Sequence, residues 1–107
     1  MKSIRGAIAV VENNEESIMS SSKKLINEIL INNAITENDI EFVIFTVTSD
    51  ITEAFPAKAF RELGMTSIAA IDTLAPNINS DLSGCIRILI YLNKDLEEIN
   101  HVYLDEA

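Results

Sequence analysis

The spacing of apolar residues changes along the chain, and each change marks an element. Ile4 to Val11 is rich in β-branched and small side chains and reads as a strand. Asn13 and Asn14 then offer a helix N-cap, with Glu15 and Glu16 in the first turn, where the helix dipole favours anions. From there to about Asn33 the period is helical. Ile18, Leu25, Ile26, Ile29 and Leu30 form one stripe, while Lys23, Lys24, Asn27 and Glu28 occupy the other face.

Thr36 to Asp39 matches a short capping box and predicts a turn of helix. Phe42 to Thr48 (FVIFTVT) is a near-continuous β-branched and aromatic run, which predicts a buried strand. Phe55-Pro56 breaks the chain. Ala57 to Leu63 reads as a short helix, with Pro56 at or before its first position and Gly64 stopping it. Ser67 to Ile71 predicts a short strand, and Thr73 to Ser83 a loop by composition. Cys85 to Leu92 (CIRILIYL) is the strongest strand pattern. Asp95 to Ile99 predicts a helical turn capped by Asp95, and His101 to Leu104 a final strand.

This order, with one long helix among five strands, predicts an α/β (α+β) chain with a single mixed sheet and the long helix on one face. The other face lacks enough local cover, which points to packing against further subunits. The length of 107 residues fits one domain spanning 1–107, and 48% apolar residues suffice for one core. A chain of this size buries only about 60–70% of its unfolded surface, so association would help it.

Charge narrows the function. The net charge is −9, from 17 acids against 8 bases, which argues against nucleic-acid binding. If the ligand is an anion, the few bases must concentrate at its site. The single cysteine, Cys85, excludes an intrachain disulfide, and the single histidine, His101, excludes a two-histidine metal site within one chain. No apolar run approaches the roughly 20 residues of a membrane span, and the first residues are too short a run for a secretory signal. A soluble, cytoplasmic protein is expected.

Arg87 lies inside the strongest apolar strand and Arg5 inside the first. Pattern alone leaves each either solvating a half-exposed sheet or holding a ligand. Lys58 and Arg61 share a helix face, where solvation is the ordinary role. Asp72 by itself reads as a turn residue, Tyr103 as a half-buried strand aromatic, Cys85 as a buried small residue, and His101 as a structural or surface residue. Together, two guanidiniums on rigid strands suit carboxylates, because the planar fork binds two oxygens at once. A small dicarboxylate is the ligand this suggests. No Gly-x-Ser-x-Gly elbow and no glycine-rich phosphate loop is present, since Gly6, Gly64 and Gly84 stand far apart. So few catalytic side chains suit a reaction without nucleophile or proton transfer.

The stretches IRGA (Ile4 to Ala7), FPAKAFREL (Phe55 to Leu63), CIRI (Cys85 to Ile88) and HVYL (His101 to Leu104) resemble the small α/β chorismate mutases, not the all-helical ones. The resemblance covers nearly the whole chain, in order and in register. It implies a homotrimeric pseudo-barrel with active sites in clefts between subunits. It also implies a Claisen rearrangement of chorismate to prephenate, without cofactor or metal, in phenylalanine and tyrosine biosynthesis. Arg87 then matches the arginine facing the ether oxygen. Arg5 and Tyr103 match residues that bind a substrate carboxylate. Phe55 and Ala57 match wall residues, Lys58 and Arg61 basic residues at the cleft mouth, and Ala70 and Ile71 further substrate-binding positions.

Two departures stand out. The family usually carries a glutamate twelve positions before the arginine, and here that position is Ala75. Asp72, where the family often has a small thiol side chain, is expected to supply the displaced carboxylate, bonding the ring hydroxyl and offsetting charge on the ring. The second departure is at Ala107, where the chain stops and family members often continue over the site. A more open site is expected, with kcat surviving better than KM. Two other readings stay open: a carboxylate-binding trimer of reduced catalysis, and an imine-deaminase-type trimer of the same broad fold.

Overall fold

The computed structural model describes every residue from Met1 to Ala107. The elements are β1 (Ser3–Ile8), α1 (Glu15–Asn33), a short 3-10 turn (Glu37–Asp39), β2 (Ile40–Val47), α2 (Lys58–Glu62), β3 (Ala69–Leu74), β4 (Ile86–Leu92) and β5 (Val102–Leu104). They form one mixed sheet in the order β3-β2-β4-β1-β5. β4 runs antiparallel to both β1 and β2, while β5 and β3 add parallel strands at the two edges. No helix is long and apolar enough to cross a membrane.

α1 begins where the amides predict. Asn14 Oδ1 accepts the Ser17 N–H at 2.7 Å, satisfying one of the free donors of the first turn. The helix lays Ile18, Leu25, Ile26 and Ile29, all fully buried, across one sheet face. Each such side chain contributes about 1.5–3 kcal/mol of burial. The helix approaches β1 closely at Gly6. A Cβ there would stand 2.7 Å from Ile29 Cδ1 and 3.0 Å from Ile88 Cγ2. At the far end Asn33 is buried. Its Nδ2 donates to the carbonyls of Ile29 and Asn100, both at 2.9 Å, and its Oδ1 accepts the Asn100 N–H at 2.8 Å. This ties the end of α1 to the approach of β5.

Four elements depart from the sequence expectation. The first strand ends at Ile8 rather than Val11, because Val10 turns to φ 59 and its N–H bonds the Ser83 carbonyl at 3.1 Å. The Asp95–Ile99 helical turn does not form, because Asp95 engages the chain's amino group at 3.2 Å and the Leu96 N–H bonds the Met1 carbonyl at 2.8 Å. That stretch is held as an extension beside β1. The third strand runs Ala69–Leu74 rather than Ser67–Ile71, since its parallel ladder with β2 continues from Phe42–Ala69 to Val47–Leu74. Ser67 is held instead by Glu37. β2, expected to be buried, is covered on one face only: Val43 and Phe45 lie under the helices, whereas Phe42 is 39% exposed. The alternate positions of β2 and β4 look outward, and no element of the chain covers them.

Candidate active site

The uncovered face is built by period-two alternation, which sends every second side chain of each strand to the same side. Strand register aligns Tyr103, Ala7, Arg87, Thr46 and Thr73 in one row across all five strands. The next row runs Arg5, Leu89, Ile44, Ile71. Arg5 is therefore the diagonal neighbour of Arg87, about 7–8 Å away between backbones and within reach for long side chains. A cavity of about 230 Å³ opens between them, lined by both arginines with Ile44, Thr46 and Leu89. The Arg5 N–H donates to His101 Nδ1 at 2.9 Å, so His101 fastens the approach of β5 to β1.

Arg87 is about two-thirds covered and has one ionic partner. Its Nη2 donates to Asp81 Oδ2 at 3.1 Å. Asp81 sits in the loop between β3 and β4, and the Leu82 N–H and then Arg87 hold its carboxyl below the usual carboxylate range. Sequence reasoning passed over Asp81 as one polar loop residue among several. The only signal for it was an acid six positions before a strand arginine. Cys85 is buried beside β4, and burial pushes its thiol up, against the opposing pull of Arg87. A thiol so placed is unreactive.

The remaining candidates gather elsewhere. Phe55, 72% exposed, leads into α2, whose Lys58 and Arg61 flank a cavity of about 340 Å³ that also touches Ala57 and Ala70. A neighbouring cavity of about 410 Å³ is lined by Phe55, Lys58, Asp72 and Thr73. This shelf is well fixed. Asn13 clamps it by accepting the N–H groups of Thr52 and Glu53 at 2.8 and 3.1 Å. Lys23 holds α2 through Glu62 at 2.7 Å. Lys58 reaches Glu15 at 3.5 Å and Glu62 at 3.7 Å.

Asp72 does not join Arg87 within the chain. It pairs with Phe45 in the ladder, so its side chain leaves the sheet on the helix side. Its Oδ1 accepts the Ala57 N–H at 3.0 Å, ahead of α2. Burial raises its carboxyl above the ordinary value, and the Ala57 N–H opposes this. Ile71 lies on the open face and is 62% exposed. No residue lines both the arginine cavity and either shelf cavity. The candidates thus divide into an arginine face (Arg5, Arg87, Tyr103) and a shelf at the β3 edge (Phe55 to Arg61, Ala70 to Asp72). Nor do three or more His, Cys, Asp or Glu side chains come close enough to hold a metal ion.

Two guanidiniums above an apolar sheet face make a setting suited to an anionic ligand. The family model for chorismate mutase type I matches residues 1–107. The chain is 37% identical to chorismate mutase AroH of Thermus thermophilus over 110 aligned positions, covering 100% of this chain and 90% of that protein. It is 30% identical to chorismate mutase AroH of Bacillus subtilis, covering 100% of this chain and 87% of that one. A solved chorismate mutase from Clostridium thermocellum superposes with a TM-score of 0.95 at 38% identity, covering 100% of this chain and 97% of the other. The chain belongs to the chorismate mutase type I family, and with it to the isomerases.

Proposed function

We propose that the protein converts chorismate to prephenate at a site completed between protomers of a homotrimer, as a step in phenylalanine and tyrosine supply. The observation that carries the reading is the convergence of Arg5 and Arg87 on one cavity of the open sheet face.

The rearrangement breaks the ether C–O bond and forms a C–C bond within one molecule. No proton or leaving group is exchanged. As the ether bond lengthens, negative charge gathers on its oxygen and the enolpyruvyl fragment, and positive charge on the ring. A catalyst needs to hold the compact conformer and to meet that charge. Arg87 is the group that faces the ether oxygen. Its donors sit on a strand interior, in a partly desolvated setting, where a preorganised charge acts more strongly than in water. Arg5 and Tyr103 take a carboxylate.

The shelf of a neighbouring protomer supplies the other wall. Phe55, Ala57, Ala70 and Ile71 provide apolar contact, and Lys58 and Arg61 attract the dianion and meet its second carboxylate. Asp72 keeps its Oδ2 free of any partner in the chain, and in the closed cleft that oxygen accepts from the ring hydroxyl. Two features favour assembly. The open face exposes Phe42, Leu89, Tyr91 and Tyr103, a broad apolar surface of the kind that marks interfaces. The two halves of the candidate site also share no cavity in one chain.

The test is the fall in chorismate absorbance on adding protein, with mass measured in solution. Turnover by a trimer, abolished in Arg87→Ala, is the expected result. Binding without turnover would reduce the protein to a carboxylate-binding module, and turnover by a monomer would remove the intersubunit cleft.

A further inference from the structure

The Arg87–Asp81 pair is the one ionic contact made by a group on the arginine face, and nothing in the fold requires it. Both side chains are about one-third exposed, a setting in which an ion pair adds little to stability. Yet the loop that carries Asp81 is firmly anchored at its exit. The Gly84 N–H donates to Asp50 Oδ2 at 2.7 Å, and the Cys85 N–H to Thr48 Oγ1 at 2.9 Å. The Val10 and Val11 N–H groups bond the Ser83 and Gly84 carbonyls at 3.1 and 3.0 Å. Gly84 has φ +59, and a Cβ there would meet the Val11 carbonyl oxygen at 2.5 Å, so the exit has one path. Asp81, three residues earlier, is itself oriented. Its Oδ1 accepts the Leu82 N–H at 2.8 Å, which turns Oδ2 toward Arg87.

We infer that Asp81 is a positioning residue for Arg87, holding the guanidinium ready before substrate arrives. The inference rests on the reading of Arg87 as the group that faces the ether oxygen. A guanidinium carries five N–H donors. Asp81 engages Nη2 alone, and Nη1 and Nε have no partner in the chain. The arginine is therefore restrained without being used up. Arginine has many rotamers, and a side chain fixed in advance loses none of that freedom when the transition state forms. The carboxylate also sets a limit on the site. It is a fixed negative charge next to the arginine, so an anionic ligand group can approach the guanidinium only from the side away from the loop. That leaves the Nε–H and Nη1–H donors, which Asp81 does not engage, for the ether oxygen.

The test compares wild type, Arg87→Ala, Asp81→Ala and Asp81→Asn. Wild-type turnover, lost in Arg87→Ala, establishes the underlying reading independently of Asp81. Against that background Asp81→Ala is expected to lower kcat about ten- to a hundredfold, the scale of a misplaced catalytic group. KM should stay within about threefold, because the bulk of ligand binding lies with other groups. Asp81→Asn, of the same shape and with an acceptor oxygen in place, should recover part of the loss, and it carries the test if the alanine variant folds poorly. The second readout needs no turnover: ¹⁵N relaxation at Arg87 Nε in the free protein should show greater mobility in Asp81→Ala. Unchanged mobility, or a kcat equal to wild type, overturns the inference while leaving Arg87 in its role. A higher kcat with lower KM also overturns it, since Asp81 would then be a competitor for the guanidinium.

Discussion

The two faces of one sheet, built from alternate residues of the same strands, have opposite characters. On the α1 side Ile4, Ile8, Ile86, Ile88 and Ile90 are at most 2% exposed and make a dense core. On the other side the intervening positions are Arg5, Ala7, Arg87, Leu89 and Tyr91, and only Ala7 is buried. A single strand such as IRILIYL thus serves stability with its even-numbered residues and leaves its odd ones free for the proposed chemistry and assembly. The covered face has a volume to fill, and many apolar sets of equal volume would fill it. The open face must place particular atoms, so it tolerates less chemical change though it carries less packing.

This contrast predicts that the faces fail differently. Arg87→Ala should cut kcat on the order of 10³-fold, the upper range for losing one transition-state donor, with little change in thermal midpoint. Arg87→Lys should rescue little, because charge remains but the planar fork is gone. A midpoint that falls together with the rate would break the comparison. Conversely, Ile29→Ala, beneath β1 against Gly6, should lower unfolding free energy by about 2–5 kcal/mol in urea titrations. Its kcat per folded molecule should match wild type.

A third region sharpens the comparison, namely the apolar part of the open face. Leu89→Lys places a charge between Arg5 and Ile44 in the cross-strand row and adds to the local positive charge. Within one chain Leu89 is 40% exposed, so the substitution should change the unfolding free energy of the separate chain by roughly 0.5 kcal/mol or less. The proposed trimer would close that face, so sedimentation of the variant should show smaller species with turnover reduced in parallel. A Leu89→Lys trimer of full activity would refute the assignment of this face to assembly.

Legibility in the sequence followed the reach of the physics involved. Asn14 and the stripe from Ile18 to Ile29 act through neighbours a few positions away, and α1 was readable to its ends. The alternation in β4 was equally local, and it put Arg87 on one face with Leu89. What failed depended on distant partners. Asp95 reads as a helix cap until the amino terminus, 94 positions away, occupies it. Asp72 by itself reads as a turn residue until its pairing with Phe45 places it inside a strand, facing the helix side. Asp81 was unreadable for the same reason: its significance comes from a loop whose path is set by Val11, Thr48 and Asp50.

The smallest expected effect concerns Asp72, where the shelf meets the covered face. Burial raises its carboxyl above 3.8, with the Ala57 N–H only partly opposing. The folded chain therefore keeps this proton at a pH where the unfolded chain has released it. By linkage, the group's stabilising contribution is complete below pH 3.8 and is lost as pH rises through the folded value. At neutral pH the ionised carboxylate is a cost. Asp72→Asn removes the charge and keeps an oxygen for the Ala57 N–H, so it should be slightly more stable than wild type at pH 7. The advantage should vanish below pH 3.8. Asp39 and Asp50, whose carboxyls are lowered by hydrogen bonds, weaken both proteins alike in acid and cancel in the difference. If Oδ2 also serves the substrate's ring hydroxyl, the same variant loses rate while it gains stability. A stability gain with unchanged kcat would remove Asp72 from the mechanism, and a loss of stability at pH 7 would show that the N–H ahead of α2 outweighs burial.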